Sequence, residues 1–132
     1  MPSYYVYLLS SLPVLSFGAK PPFSFDRLIS SCETLIPEED IEMLKAVVMP
    51  EDTHCSTTRN QTFAKWRSFD TMLRNELVQI RASRKKEDPA KYVRQDGCPA
   101  SSYAAHLAIN AYRKPSIIES EKALDLERWG EL

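Results

Sequence analysis

Residues 60–86 read NQTFAKWRSFDTMLRNELVQIRASRKK. The stretch holds neither proline nor glycine, and Phe63, Trp66, Phe69, Leu73, Leu77 and Ile80 recur at spacings of three and four. That period puts them on one face of a long helix, which needs a partner surface to bury it. The rest of the chain reads largely as shorter helices able to cover that face. The predicted fold is mainly α, a helical bundle around one long helix at about 60–86, with a short extended segment at the N-terminus.

At 132 residues the chain has the size of a single helical domain, 1–132, with no length for a second module. Three glycines suit helices joined by short links better than a barrel or sandwich full of tight turns. A net charge of −1 gives the molecule no long-range attraction for nucleic acid or acidic membranes, so any basic site must be local. Cys32, Cys55 and Cys98 are odd in number and widely separated, which argues against a disulfide framework or a four-cysteine zinc site and fits a reducing cytoplasm.

Upstream of the long helix, Tyr4 to Leu9 is rich in β-forming residues and reads as an extended segment, with 1–22 forming that segment and a turn and 23–132 the helices. The sequence shows no second strand to pair with it. Its backbone donors then need partners from another chain or a region beyond this one. The apolar run to Phe17 is too short to span a bilayer, which takes roughly 20 apolar residues. Ser24 caps a helix carrying Phe25, Leu28, Ile29 and Cys32. Pro37 opens the next, with Glu38, Glu39 and Asp40 at its positive end and Ile41, Leu44, Val47 and Val48 as its stripe. A polar loop at 51–59 leads into the long helix.

Beyond it, Glu87-Asp88-Pro89 breaks the helix, a short helical turn follows at 90–94, and Asp96-Gly97-Cys98-Pro99 reads as a turn. A helix from Ser101 or Ser102 to about Arg113 carries Ala104, Ala105, Leu107, Ala108, Ala111 and Tyr112. Ser116 and Glu119 form a capping box for a last helix bearing Ile117, Ala123, Leu124, Leu126 and Trp129. That helical pattern runs to Leu132 without a cap. Either it ends at a surface, or the chain is a fragment whose remainder covers Trp129.

Arg67, Arg74 and Arg81 recur every seven residues, with Arg84, Lys85 and Lys86 beyond. They form either a cationic stripe for an acidic partner or phosphates, or a solvated face with pairs such as Asp70 to Arg74 at i, i+4. The acidic stretch Glu119, Glu121, Asp125, Glu127 and Glu131 answers that stripe within the fold, or between two copies in a homodimer. His54 beside Cys55 is the single local pair with a flavour of nucleophilic or metal chemistry, and neither an oriented base nor a ligand set accompanies it. His106 reads as a packed or partly exposed histidine. Tyr4, Tyr5 and Tyr7 have no cation before Lys20, so they suit core packing or a protein interface rather than base stacking. No glycine-rich phosphate loop is present. No catalytic, cofactor-binding or metal-ligating residue is assigned.

The opening Tyr4-Tyr5 to Leu9 with Ser11-Leu12-Pro13-Val14-Leu15-Ser16-Phe17 resembles the start of a bacterial family of unassigned small proteins. The same family is matched by Trp66, Leu73-Arg74-Asn75-Glu76-Leu77 and Arg81-Ala82, and by a close of Pro115 to Glu121, Ala123-Leu124-Asp125 and Arg128-Trp129. Its members are encoded alongside the components of bacterial V-type (A-type) ATPases. They look like reduced versions of the motor's helical C-type component, which couples the central stalk to the membrane rotor ring. The resemblance implies a non-catalytic cytoplasmic subunit or assembly factor, peripheral at the inner membrane through the ATPase complex. Its partners would be stalk or rotor-ring subunits, with neither nucleic acid nor direct membrane insertion. Contact residues on this reading are Tyr4, Tyr5, Tyr7, Arg67, Arg74, Arg81, Arg84 and Trp129. The alternative is an anion- or nucleic-acid-binding module using the arginine stripe.

Overall fold

The computed structural model describes residues 4–48, 60–94 and 101–132. Among these residues every regular element is a helix: α1 Tyr5–Ser11, α2 Phe25–Cys32, α3 Glu38–Val48, α4 Gln61–Lys85, α5 Ser102–Tyr112 and α6 Ile117–Gly130, with a 3-10 turn at Pro89–Lys91. The mainly α fold is thus as the periodicity requires. The helices gather in two compact units, Met1–Thr53 and His54–Leu132.

In the second unit α4 is the frame. The Asn60 side chain accepts the Phe63 amide at 3.0 Å, satisfying one of the donors that a helix start leaves without a partner. At the other end Lys86 turns into the left-handed region at φ 58°, which brings the amides of Lys86 and Glu87 back to the Ala82 carbonyl and closes the helix. Between these ends Leu73 is fully buried, with Phe69 and Leu77 on either side. The alanines Ala104, Ala108 and Ala111 form the inner stripe of α5, and such small side chains let two helices approach closely. Leu124 of α6 completes the core, with Ile80, Leu107 and Ala123 at its margin.

The register follows from the cross-helix contacts. Phe69 faces Tyr103 and Arg84 meets Tyr112, so α5 runs parallel to α4. Arg81 meets Glu121 while Asp70 meets Arg128, so α6 runs antiparallel to both. A parallel α5 requires the chain after α4 to travel back along it. Asn75 guides that return: its amide nitrogen donates to the Arg94 carbonyl and its oxygen accepts the Arg94 amide, both at 3.0 Å. Serine side chains start the last two helices, Ser101 accepting from the Ala104 amide and Ser116 from the Glu119 amide. The second contact is the forward half of the predicted capping box.

The first unit is built of short pieces. Leu8, Ile29, Cys32 and Ile41 form its core, flanked by Leu12, Leu28, Leu35, Ile36 and Leu44. Ser24 caps α2 through the Arg27 amide, as its position before the apolar stripe predicts. Pro37 stands just ahead of α3, its carbonyl accepting the amides of Asp40 and Ile41, one residue from the place assigned by sequence.

The extended reading of Tyr4 to Leu9 is corrected: residues Tyr5–Ser11 are helical. An extended segment needs a pairing strand for its donors, whereas a helix satisfies them internally. The helix also places Leu8 and Leu12, four residues apart, into one core, which outweighs the β preference of the tyrosines. Extended and turning backbone begins only after it, with Gly18 at φ 79° in the turn that brings the Ala19 amide to the Ser16 carbonyl. The polar loop at 51–59 and the turn at 96–99 lie outside the described residues.

Candidate functional site

The arginines of α4 point to four different environments. Arg67 is buried at 6% exposure with its guanidinium over the Phe63 ring, 5.5 Å from the centroid. Arg74 Nε donates to Asp70 Oδ2 at 2.7 Å, the i, i+4 pair expected from the sequence. Arg81 Nη2 lies 3.5 Å from Glu121 Oε1. Arg84 Nη1 donates to the Tyr112 hydroxyl at 2.7 Å and stacks near that ring. Each therefore has work inside its own unit. The contact Arg81–Glu121 shows part of the acidic stretch answering the basic one within the fold.

Beside Arg67, the other charge held in the interior among the described residues is Asp70, and half of its pairing has no signal in the sequence. Asp70 is 7% exposed and its two oxygens serve different helices: Oδ2 takes Arg74, and Oδ1 accepts from Arg128 Nε at 2.8 Å. Arg128 also donates through Nη1 to Asp125 Oδ1 at 3.0 Å. Burial works against the Arg128 charge, but the hydrogen bond and charge of Asp70, then those of Asp125, outweigh it and raise the guanidinium above its usual range. A carboxylate shared in this way costs desolvation that only good geometry offsets, and the shared contact ties α6 to α4. Asp70 and Arg128 are 58 residues apart. Their pairing has no local signal in the sequence.

The N-terminal tyrosines behave differently. Tyr4 and Tyr7 are exposed, and so are Val6 and Leu9 on the same short helix. Tyr5 donates its hydroxyl to the Asp40 carboxylate, tying α1 to the start of α3. Its phenol is raised above 10.0, first by that hydrogen bond. Trp129 is part-exposed near the end of α6.

Of the residues with reactive chemistry, Cys32 is packed in the first core, and burial pushes its thiol up. His106 is exposed on α5. His54, Cys55 and Cys98 lie outside the described residues. No grouping of His, Cys, Asp and Glu suited to a metal ion occurs among the described residues, and no helix among them is long and apolar enough to cross a membrane. A shallow groove between α5 and α6, of about 360 Å³, is floored by Leu107, Ala111, Ala123 and Leu126, with Arg113 and Lys114 at its mouth.

No protein-family model matches this chain, and neither a curated protein nor a solved structure matches it.

Proposed function

We propose that the chain is a non-catalytic helical subunit or assembly factor that acts by protein–protein contact, with a bacterial V-type ATPase as its partner complex. The supporting observation is the outward face of α1, where Val6 is 83% exposed, Leu9 66% and Tyr7 65%. Contiguous apolar and aromatic surface of this kind is characteristic of binding faces. The choice of complex rests on the resemblance carried by the Tyr4 to Phe17 segment and by the Pro115 to Trp129 close.

The engagement of Arg67, Arg74, Arg81 and Arg84 within their own unit favours this reading over an anion-binding stripe. The test is affinity capture of the tagged chain from native membrane and cytoplasmic fractions. Recovery of catalytic and stalk subunits, lost in a Val6→Asp, Leu9→Asp variant and kept in Arg74→Ala, supports the proposal. Recovery of nucleic-acid-bound proteins in their place, with salt-sensitive retention of RNA or DNA, overturns it.

A further inference from the structure

One end of the second unit combines features that protein contact through α1 does not use. The last turn of α4, the last turn of α5 and the first turn of α6 meet there, joined by Arg84 to Tyr112 and Arg81 to Glu121. Residues 112–119 are all exposed, and α6 begins with Ile117 and Ile118, exposed to 82% and 70%. Neither isoleucine serves the core. Ser116 starts the helix and Leu124 anchors it, so packing leaves both apolar side chains in water.

Cations share this end of the unit. Arg113 and Lys114 stand immediately before the isoleucines, and Lys85 and Lys86 follow Arg84 at the adjoining end of α4. The nearby acids make local contacts and keep their charge: Glu121 faces Arg81, Glu87 accepts the Tyr92 hydroxyl at 2.9 Å, and Asp88 accepts the Ala90 amide at 3.0 Å. Glu119 is left on the first turn of α6, with Lys122 three residues on. With Arg81, Arg84 and Lys122 included, seven cations stand at this end against the four acids Glu87, Asp88, Glu119 and Glu121, so the local balance is cationic in a chain whose total is −1.

We infer that this end of the unit docks on an anionic lipid surface. Ile117 and Ile118 enter the headgroup region while Arg113, Lys114, Lys85 and Lys86 meet the lipid phosphates. Charge complementarity selects an anionic occupant, because apolar residues and a basic cluster together give surface binding that neither gives alone. Position selects lipid over an acidic peptide: the groove between α5 and α6 has Arg113 and Lys114 in its lining but neither isoleucine. A peptide seated there leaves them uncovered, whereas a bilayer surface covers protruding side chains without a complementary cavity. Docking of this kind requires no membrane-spanning segment, and it stands whether or not the ATPase is the partner.

The experiment is co-sedimentation of the full chain with vesicles of phosphatidylcholine alone and of phosphatidylcholine with about one third phosphatidylglycerol, at low and high salt. Binding to the anionic vesicles should exceed binding to the neutral ones by about tenfold or more and fall as salt rises. Ile117→Ser, Ile118→Ser and, separately, Arg113→Glu, Lys114→Glu should each reduce it about tenfold, with unchanged helix content and thermal midpoint. Equal binding to both vesicle types, or none to either, overturns the inference. So does an isoleucine double variant that binds like the parent, or retention of a polyglutamate peptide by a chain that ignores vesicles.

Discussion

The two units reach a buried core by different means. In the second, a helix of 25 residues offers one continuous face to helices of 11 and 14. In the first, helices of 7, 8 and 11 residues converge on a few side chains. Isolated helices below about 12 residues are marginal in water, so each piece of the first unit depends on its neighbours for its helicity. The long helix is less dependent, and its interior tolerates a carboxylate held by arginines from two helices. The first unit also leaves apolar side chains such as Val6 and Leu9 outside. Length of one element thus decides how much of a small unit's core rests on a single helix, while both units leave apolar side chains outside, Ile117 and Ile118 in the second.

Leu73→Ala should test that difference most severely, because a fully buried leucine at the centre of the long helix leaves a cavity that its neighbours cannot refill. A loss of about 2–5 kcal/mol is expected in urea titration followed by tryptophan fluorescence. Both tryptophans, Trp66 and Trp129, lie in the second unit, so this signal reads it selectively. Cys32 reads the other: in a Cys55→Ser, Cys98→Ser background, its reaction with a thiol reagent at pH 8 should be slow and should accelerate at lower urea than the tryptophan transition. Coincidence of the two transitions would remove the distinction between a self-reliant unit and a dependent one.

Asp70→Asn should come next, at about 2–3 kcal/mol, since it leaves Arg128 part-buried opposite a neutral group. Pairing it with Arg128→Met should restore most of that loss. A double variant as unstable as the single would mean that Asp70 acts through α4 alone. Lys86→Gly should go the other way, raising stability by about 0.5–1 kcal/mol, because glycine accepts the left-handed conformation that a lysine adopts at a cost.

The smallest effect belongs to the first unit and is a pH dependence. The hydrogen bond to Asp40 raises the Tyr5 phenol above 10.0 in the folded chain. The folded state therefore holds that proton more tightly than the unfolded one, and the resulting stabilisation is complete below pH 10 and fades as pH climbs through the raised value. Ultraviolet difference titration of Asp40→Asn, compared with Tyr5→Phe, should show the phenol returning toward 10. An unchanged titration would detach α1 from α3.

What the sequence reveals divides along similar lines. The face of α4, the serine caps and the alanine stripe of α5 are written locally, in spacing and in residue type, and they appear where expected. Tyr5 to Leu9 misleads because β preference is a local property, while the burial of Leu8 and Leu12 depends on α2 and α3. The arginines are legible as a series but not in their fates. A seven-residue repeat drifts by about 20° around a straight helix with each step, and over the span from Arg67 to Arg81 this helps carry the side chain from interior to solvent. Asp70 with Arg128 is invisible for another reason: distant charges pair only once three helices have fixed their register.

The tether at Asn75 carries a consequence for how this chain can vary. It grips Arg94 solely through main-chain N–H and C=O, so the side chain at that position is not part of the bond. Any residue that keeps its amide hydrogen can stand at 94, and proline is the one replacement that removes a bond, leaving only its carbonyl to accept. Across related chains the asparagine should stay put while its counterpart drifts, so that the path of the returning segment is inherited without its sequence.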